Sequence, residues 1–171
     1  MKRAILSSGL LAASLSLAGC TQEPSSVDHE FFWEVSVADM RDAMLGNCQS
    51  GGTIYSVGGR VNQSAVYRWT GRRWLAEAML AGGKRLWSCW VGHNGLAFAV
   101  GQEATLLKKT PEGWSRTELP AELDGADLFG VHGFPDGTAV AVGGGLTGAT
   151  ETAVILHYDG SQWTRSDATH V

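Results

Sequence analysis

Ser56-Val57-Gly58-Gly59, Ala99-Val100-Gly101 and Ala141-Val142-Gly143-Gly144 are three copies of one short phrase, their Val-Gly steps 43 and 42 residues apart. An internal period of that size belongs to blades, solenoids or arrays rather than to one irregular domain. Each phrase ends an apolar run, Thr53 to Val57, Leu96 to Val100 and Thr138 to Val142. The runs lack polar alternation, which predicts strands covered on both faces. Small residues at alternate positions (Ala97 and Ala99, Ala139 and Ala141) would let a neighbouring layer approach closely.

Upstream of each run stands a turn pair, Gly51-Gly52, Asn94-Gly95 or Asp136-Gly137. Such pairs supply the positive φ of tight hairpins. Each turn follows an opening apolar strand: Leu45 to Cys48, Leu86 to Cys89, Leu128 to Val131. Downstream, a third strand reaches Tyr67, Leu107 or Leu156, each seven positions before a tryptophan, Trp74, Trp114 or Trp163. A polar-outward fourth strand begins at that tryptophan. Four short antiparallel strands in each unit of about 40 residues is the grammar of a β-propeller blade. A helical solenoid would need 3.6-residue periodicity, which is missing. The expectation is an all-β chain with a partial propeller over residues 31–171, its blades at about 45–80, 86–120 and 128–167.

Phe31 to Val35 adds an N-terminal edge strand whose Trp33 would be a fourth blade anchor without a blade of its own. Closed propellers need roughly four to eight blades. Three blades therefore imply a piece of a longer propeller, a ring completed by other copies, or an open wedge. Any open end would expose a flat apolar face, so self-association through open blade faces is expected.

The N-terminus reads as an export signal over residues 1–19. Lys2 and Arg3 precede an apolar stretch, Ala4 to Leu17, too short to span a bilayer. It closes in Leu17-Ala18-Gly19-Cys20, which resembles the lipobox of bacterial lipoproteins. The resemblance implies cleavage before Cys20, acylation there, and a membrane anchor of more than one chain. Residues 20–30 become the lipidated cysteine and a polar tether, which includes His29. Thr21 stands where an aspartate would signal inner-membrane retention, so an outer-membrane place in the cell envelope is favoured over the inner. Losing Lys2 and Arg3 takes the formal charge from −4 to −6. A mildly acidic domain without a basic cluster argues against nucleic acid as a partner.

The blade phrases, ending in Asp159-Gly160-Ser161-Gln162-Trp163, look like those of propeller lipoproteins abundant in myxobacteria. More distantly they are similar to sialidase-type Asp-box and photosystem assembly-factor propellers. The third unit matches best. The first departs most, with a turn two residues shorter and Cys48 in place of the inner valine. Within the Asp-box resemblance, Asp159 locks a turn rather than catalysing.

Few residues invite chemistry. Cys48 and Cys89 occupy equivalent positions in adjacent opening strands, in an oxidising compartment. A bridge between them is one reading; two buried thiols is the other, because equivalent atoms of neighbouring blades can lie too far apart. His93, His132 and His157 are too scattered for a metal site, and Asp124, Asp127 and Asp136 form no calcium loop. No metal or other cofactor is expected. Trp33, Trp74, Trp114 and Trp163 recur as blade anchors, whereas Trp69, Trp87 and Trp90 do not recur. Trp90 aligns with His132 near a rim, where Trp90 or Trp87 could stack on a sugar or peptide side chain, against the alternative of interblade packing. The expected function is a membrane-anchored, non-enzymatic propeller lipoprotein that binds or scaffolds protein or glycan at the cell envelope. The alternatives are a sialidase-like glycoside hydrolase fragment and an envelope-complex assembly factor. A sialidase would need an arginine cluster, but Arg60, Arg68, Arg72, Arg73, Arg85, Arg116 and Arg165 fall mostly on hairpin tips.

Overall fold

The computed structural model describes residues 40–123, 125–145 and 153–166. The signal, Cys20, the Phe31 to Val35 strand with Trp33, and Asp124 lie outside the described residues. Three four-stranded antiparallel sheets follow in chain order. The first blade is β1 (Ala43–Ser50), β2 (Thr53–Arg60), β3 (Gln63–Trp69) and β4 (Trp74–Ala81). The second is β5 (Leu86–Val91), β6 (Ala97–Gly101), β7 (Leu106–Thr110) and β8 (Gly113–Arg116). The third is β9 (Asp127–Gly133), β10 (Ala139–Gly144), β11 (Ala153–Tyr158) and β12 (Trp163–Arg165). The fold is all-β and propeller-like, and its series of blades is open rather than closed.

The Val-Gly phrase has a structural cause. Each step sits opposite a β-bulge in the opening strand of its blade. Leu45, Trp87 and Phe129 are the extra residues, inserted across from Val57-Gly58, Val100-Gly101 and Val142-Gly143. A bulge bends its strand and brings backbone close to the partner. A Cβ on Gly58, Gly101 or Gly143 would fall on the carbonyl oxygen of Ala43, Arg85 or Asp127. Only glycine fits there.

The register corrects the sequence alignment of the opening strands. Met44, not Leu45, is equivalent to Leu86 and Leu128, since all three pair with the motif glycine. The residue that replaces the inner valine of the first blade is therefore Asn47, not Cys48. The first hairpin is one residue shorter than the others, not two: Gln49 pairs with Ile54 where Val91 pairs with Ala97 and Gly133 with Ala139. Gly51 and Gly52 both hold positive φ (55° and 83°), which closes that tighter turn.

Each blade has a forward face, toward the next blade in sequence, and a rear face. Tyr55, Val57 and Val66 on the forward face of the first blade meet Ala97, Ala99, Leu107 and Trp114 on the rear of the second. Phe98, Val100 and Leu106 meet Ala139, Ala141, Leu156 and Trp163 in the same way. The four alanines are fully buried, so they do admit the neighbouring layer. An aromatic pair locks each junction edge to face. Tyr55 stands 5.3 Å from Trp114 at 88°, and Phe98 stands 5.2 Å from Trp163 at 81°. The expectation of strands covered on both faces fails in the third blade, where Val142 remains 45% exposed.

Candidate functional site

Since every blade has the same orientation, the three opening strands end together. Their C-terminal ends and hairpins enclose a cleft of about 450 Å³ that spans all three blades. The first blade contributes Gln49 and Ser50, the second Trp90 to Asn94, and the third His132 to Pro135. Ser50 Oγ and His93 Nδ1 share a hydrogen bond at 3.1 Å, tying the first hairpin to the second. Asn94 Oδ1 accepts from the Leu96 amide at 3.0 Å, and Asp136 Oδ1 accepts from the Thr138 amide at 2.9 Å. These Asx turns fix the loops that carry the cleft walls.

Trp90 does line this cleft, and by register it is equivalent to His132. Much of its surface is already taken. The indole stacks on Phe98 at 6.3 Å and 22°, with His132 against it at 6.4 Å. A Cβ on Gly92 or Gly133 would stand 2.6 Å from its ring carbons. Trp90 is thus a wedge between the second and third blades that presents only part of itself. The aromatic group offered to solvent is Phe134, 41% exposed and in edge contact with His132 at 5.3 Å. Phe134, Gln49 and Ser50 were not singled out in the sequence, and Asn94 was read there only as a turn residue. A phenylalanine beside Pro135 in a hairpin turn was the available signal.

Trp87 does not join them. It is the bulge residue at the opposite end of β5, equivalent to Leu45 and Phe129, and its Nε1 is buried without a hydrogen-bond partner. The position therefore recurs as a large apolar residue, although tryptophan itself does not. Leu45 and Phe129 are 44% and 42% exposed, so an apolar row marks the strand ends remote from the cleft.

Cys48 and Cys89 are joined, with Cα atoms 5.6 Å apart. They are not equivalent positions. Asn47 matches Cys89, while Cys48 matches Trp90, one residue on. That single-residue offset puts Cys48 on the forward face of its blade and Cys89 on the rear face of the next. The two sulfurs therefore face each other across the junction rather than repeating at the blade spacing. Beside the same junction, Glu77 accepts from Arg68 Nε and pairs with Lys109 of the second blade, each at 2.7 Å. Burial pushes its carboxyl up, but the cations Lys109 and Arg68 outweigh burial and hold it below the ordinary range.

The recurring tryptophans divide by exposure. Trp114 and Trp163 are 8% and 6% exposed, whereas Trp74 is only half-buried. Asp159 Oδ1 accepts from the Ser161 amide, the Ser161 hydroxyl and the Gln162 amide at 2.8 to 2.9 Å. These hydrogen bonds lower its pKa to about 2, and the group is a turn lock that does not line the cleft. His157 is exposed on β11, apart from His93 and His132. Among the described residues no group of three metal-ligating side chains forms.

No protein family matches the sequence, and neither does any curated protein. The chain is similar in structure to a protein from Lactobacillus plantarum solved as a structural-genomics target, with a TM-score of 0.50 at 15% identity. The alignment covers 72% of this chain and 40% of that one. At that identity the likeness shows the propeller-like fold alone.

Proposed function

We propose that this chain is a membrane-tethered binding module of the cell envelope, non-enzymatic, which presents the three-blade rim cleft to a protein or glycan. The observation that carries this reading is the chemistry of the cleft lining. Its described residues combine aromatic rings with amide, hydroxyl and imidazole groups, and include no arginine, lysine, aspartate or glutamate. Rings with a few placed polar groups suit recognition. A sialidase pocket needs an arginine cluster, a tyrosine–glutamate nucleophile pair and an acid, and this lining offers none of them. Lipidation at Cys20, in the N-terminal segment beyond the described residues, would hold the module at the membrane surface.

The test is a glycan array and an envelope-protein array probed with the full chain, alongside a fluorogenic sialoside assay. Binding without sialoside turnover is the expected result. Steady turnover, or no binding on either array, would overturn the reading. Replacing Cys20 with serine should move the chain from the membrane fraction to the soluble one.

A further inference from the structure

The polar side chains among the described lining of the rim cleft are Gln49, Ser50, His93, Asn94 and His132. Each is of a type that both donates and accepts hydrogen bonds: amide, hydroxyl or imidazole. Gln49, His93, Asn94 and His132 are exposed and Ser50 is half-buried, so a ligand can reach them all. Two bonds already fix part of the set. Ser50 Oγ and His93 Nδ1 share one at 3.1 Å, which leaves His93 Nε2 to donate or accept according to the tautomer. Asn94 Oδ1 is taken by the Leu96 amide, which leaves its Nδ2 to donate.

This pattern selects among ligands. A carboxylate, sulfate or phosphate only accepts, and once drawn out of water it needs a cation opposite. An ammonium only donates and needs a carboxylate. The described lining holds neither partner. A sugar hydroxyl both donates and accepts, like the side chains it would meet. Phe134, 41% exposed, and the uncovered part of Trp90 supply aromatic surface for the C–H face of a sugar ring.

Size points the same way. A folded partner spreads over about 20 to 30 residues a side. A concavity of about 450 Å³ has the dimensions of a small-ligand site, for which roughly 300–1,000 Å³ is usual. The Gly92 amide is spent on the Leu96 carbonyl and the Phe134 amide on that of Thr138. Those rim donors are therefore not open to pair with a peptide strand.

We propose, on the reading that this cleft is the binding site, that its ligand is a short neutral glycan. One sugar ring lies against Phe134, and its hydroxyls are shared among Gln49, Asn94 and the Ser50–His93 pair. Because no charge is paired across the contact, the affinity does not depend on salt.

The test is a glycan array with neutral and acidic members beside the envelope-protein array, probed with the full chain in a detergent without a sugar headgroup. The strongest hit is then titrated by calorimetry at low and high salt, into the parent and into Gln49→Leu, which keeps the bulk but removes the amide. Neutral glycans should give the hits, with affinity unchanged by salt and weakened about threefold to tenfold by Gln49→Leu. If that variant fails to fold, the parent's choice of ligand and its salt response still decide. Hits confined to sialylated, sulfated or uronate glycans, or to proteins, would overturn the inference. Loss of those hits in Gln49→Leu would still leave the cleft its binding role. Neutral-glycan binding indifferent to both Gln49→Leu and Phe134→Ala, or no hit on either array, would overturn the inference and the binding role together.

Discussion

Asp159 illustrates how much one side chain can be read from its neighbours. Three donors converge on one carboxylate oxygen, and all of them favour the charged form. Its folded pKa of about 2 lies below the ordinary 3.8. The charged form therefore favours the fold, with the contribution complete above pH of about 4 and lost as pH falls through about 2. Asp159→Asn should lower the melting temperature by a constant few degrees near neutral pH. The gap to the parent should shrink in acid and vanish near pH of about 2; calorimetry at stepped pH checks it. This lock was legible in the sequence because the Asp-Gly-x-x-Trp phrase is local. Trp90 was legible only in part: its place on the rim could be read, but its contacts with Phe98, His132 and Gly133 come from a second strand and a second blade. No local pattern encodes those.

Strands, turns and anchors were readable for a physical reason. Hairpins are made of near neighbours, and the Val-Gly glycines are forced by the carbonyls of Ala43, Arg85 and Asp127. The register of the opening strands was not readable. The bulges at Leu45, Trp87 and Phe129 each add a residue that pairs with nothing, and the first hairpin is shorter, so matching similar letters slips by one. That slip decided how Cys48 and Cys89 were placed. Taken as equivalents they would sit a blade spacing apart, but one residue of offset makes them face each other. The bridge closes a loop with a sequence separation of 41. In the chain-entropy account it adds about 4 kcal/mol. Cys48→Ser should lower stability to denaturant by about that amount, and reductant should bring the parent to the same value. A parent indifferent to reductant would mean that the clip bears no load.

At the scale of the whole molecule, parallel orientation of the blades separates two ends. The strand termini at one end gather the cleft with Phe134 and His132, and those at the other carry the apolar row of Leu45, Trp87 and Phe129. Composition gave no hint of this division, because it arises only when the same strand is repeated three times side by side. The openness of the series was legible from the count of Val-Gly units. The proposed function holds that ligand binds at the cleft and not elsewhere on the surface. Its most direct test is a calorimetric titration of the first array ligand into three full-length forms: the parent, Phe134→Ala at the cleft and Phe129→Ala at the opposite end. The account predicts a loss of affinity of about tenfold or more for Phe134→Ala, as an anchoring aromatic gives, with Phe129→Ala binding like the parent. Equal affinity for the parent and Phe134→Ala, with the loss falling on Phe129→Ala, would contradict it.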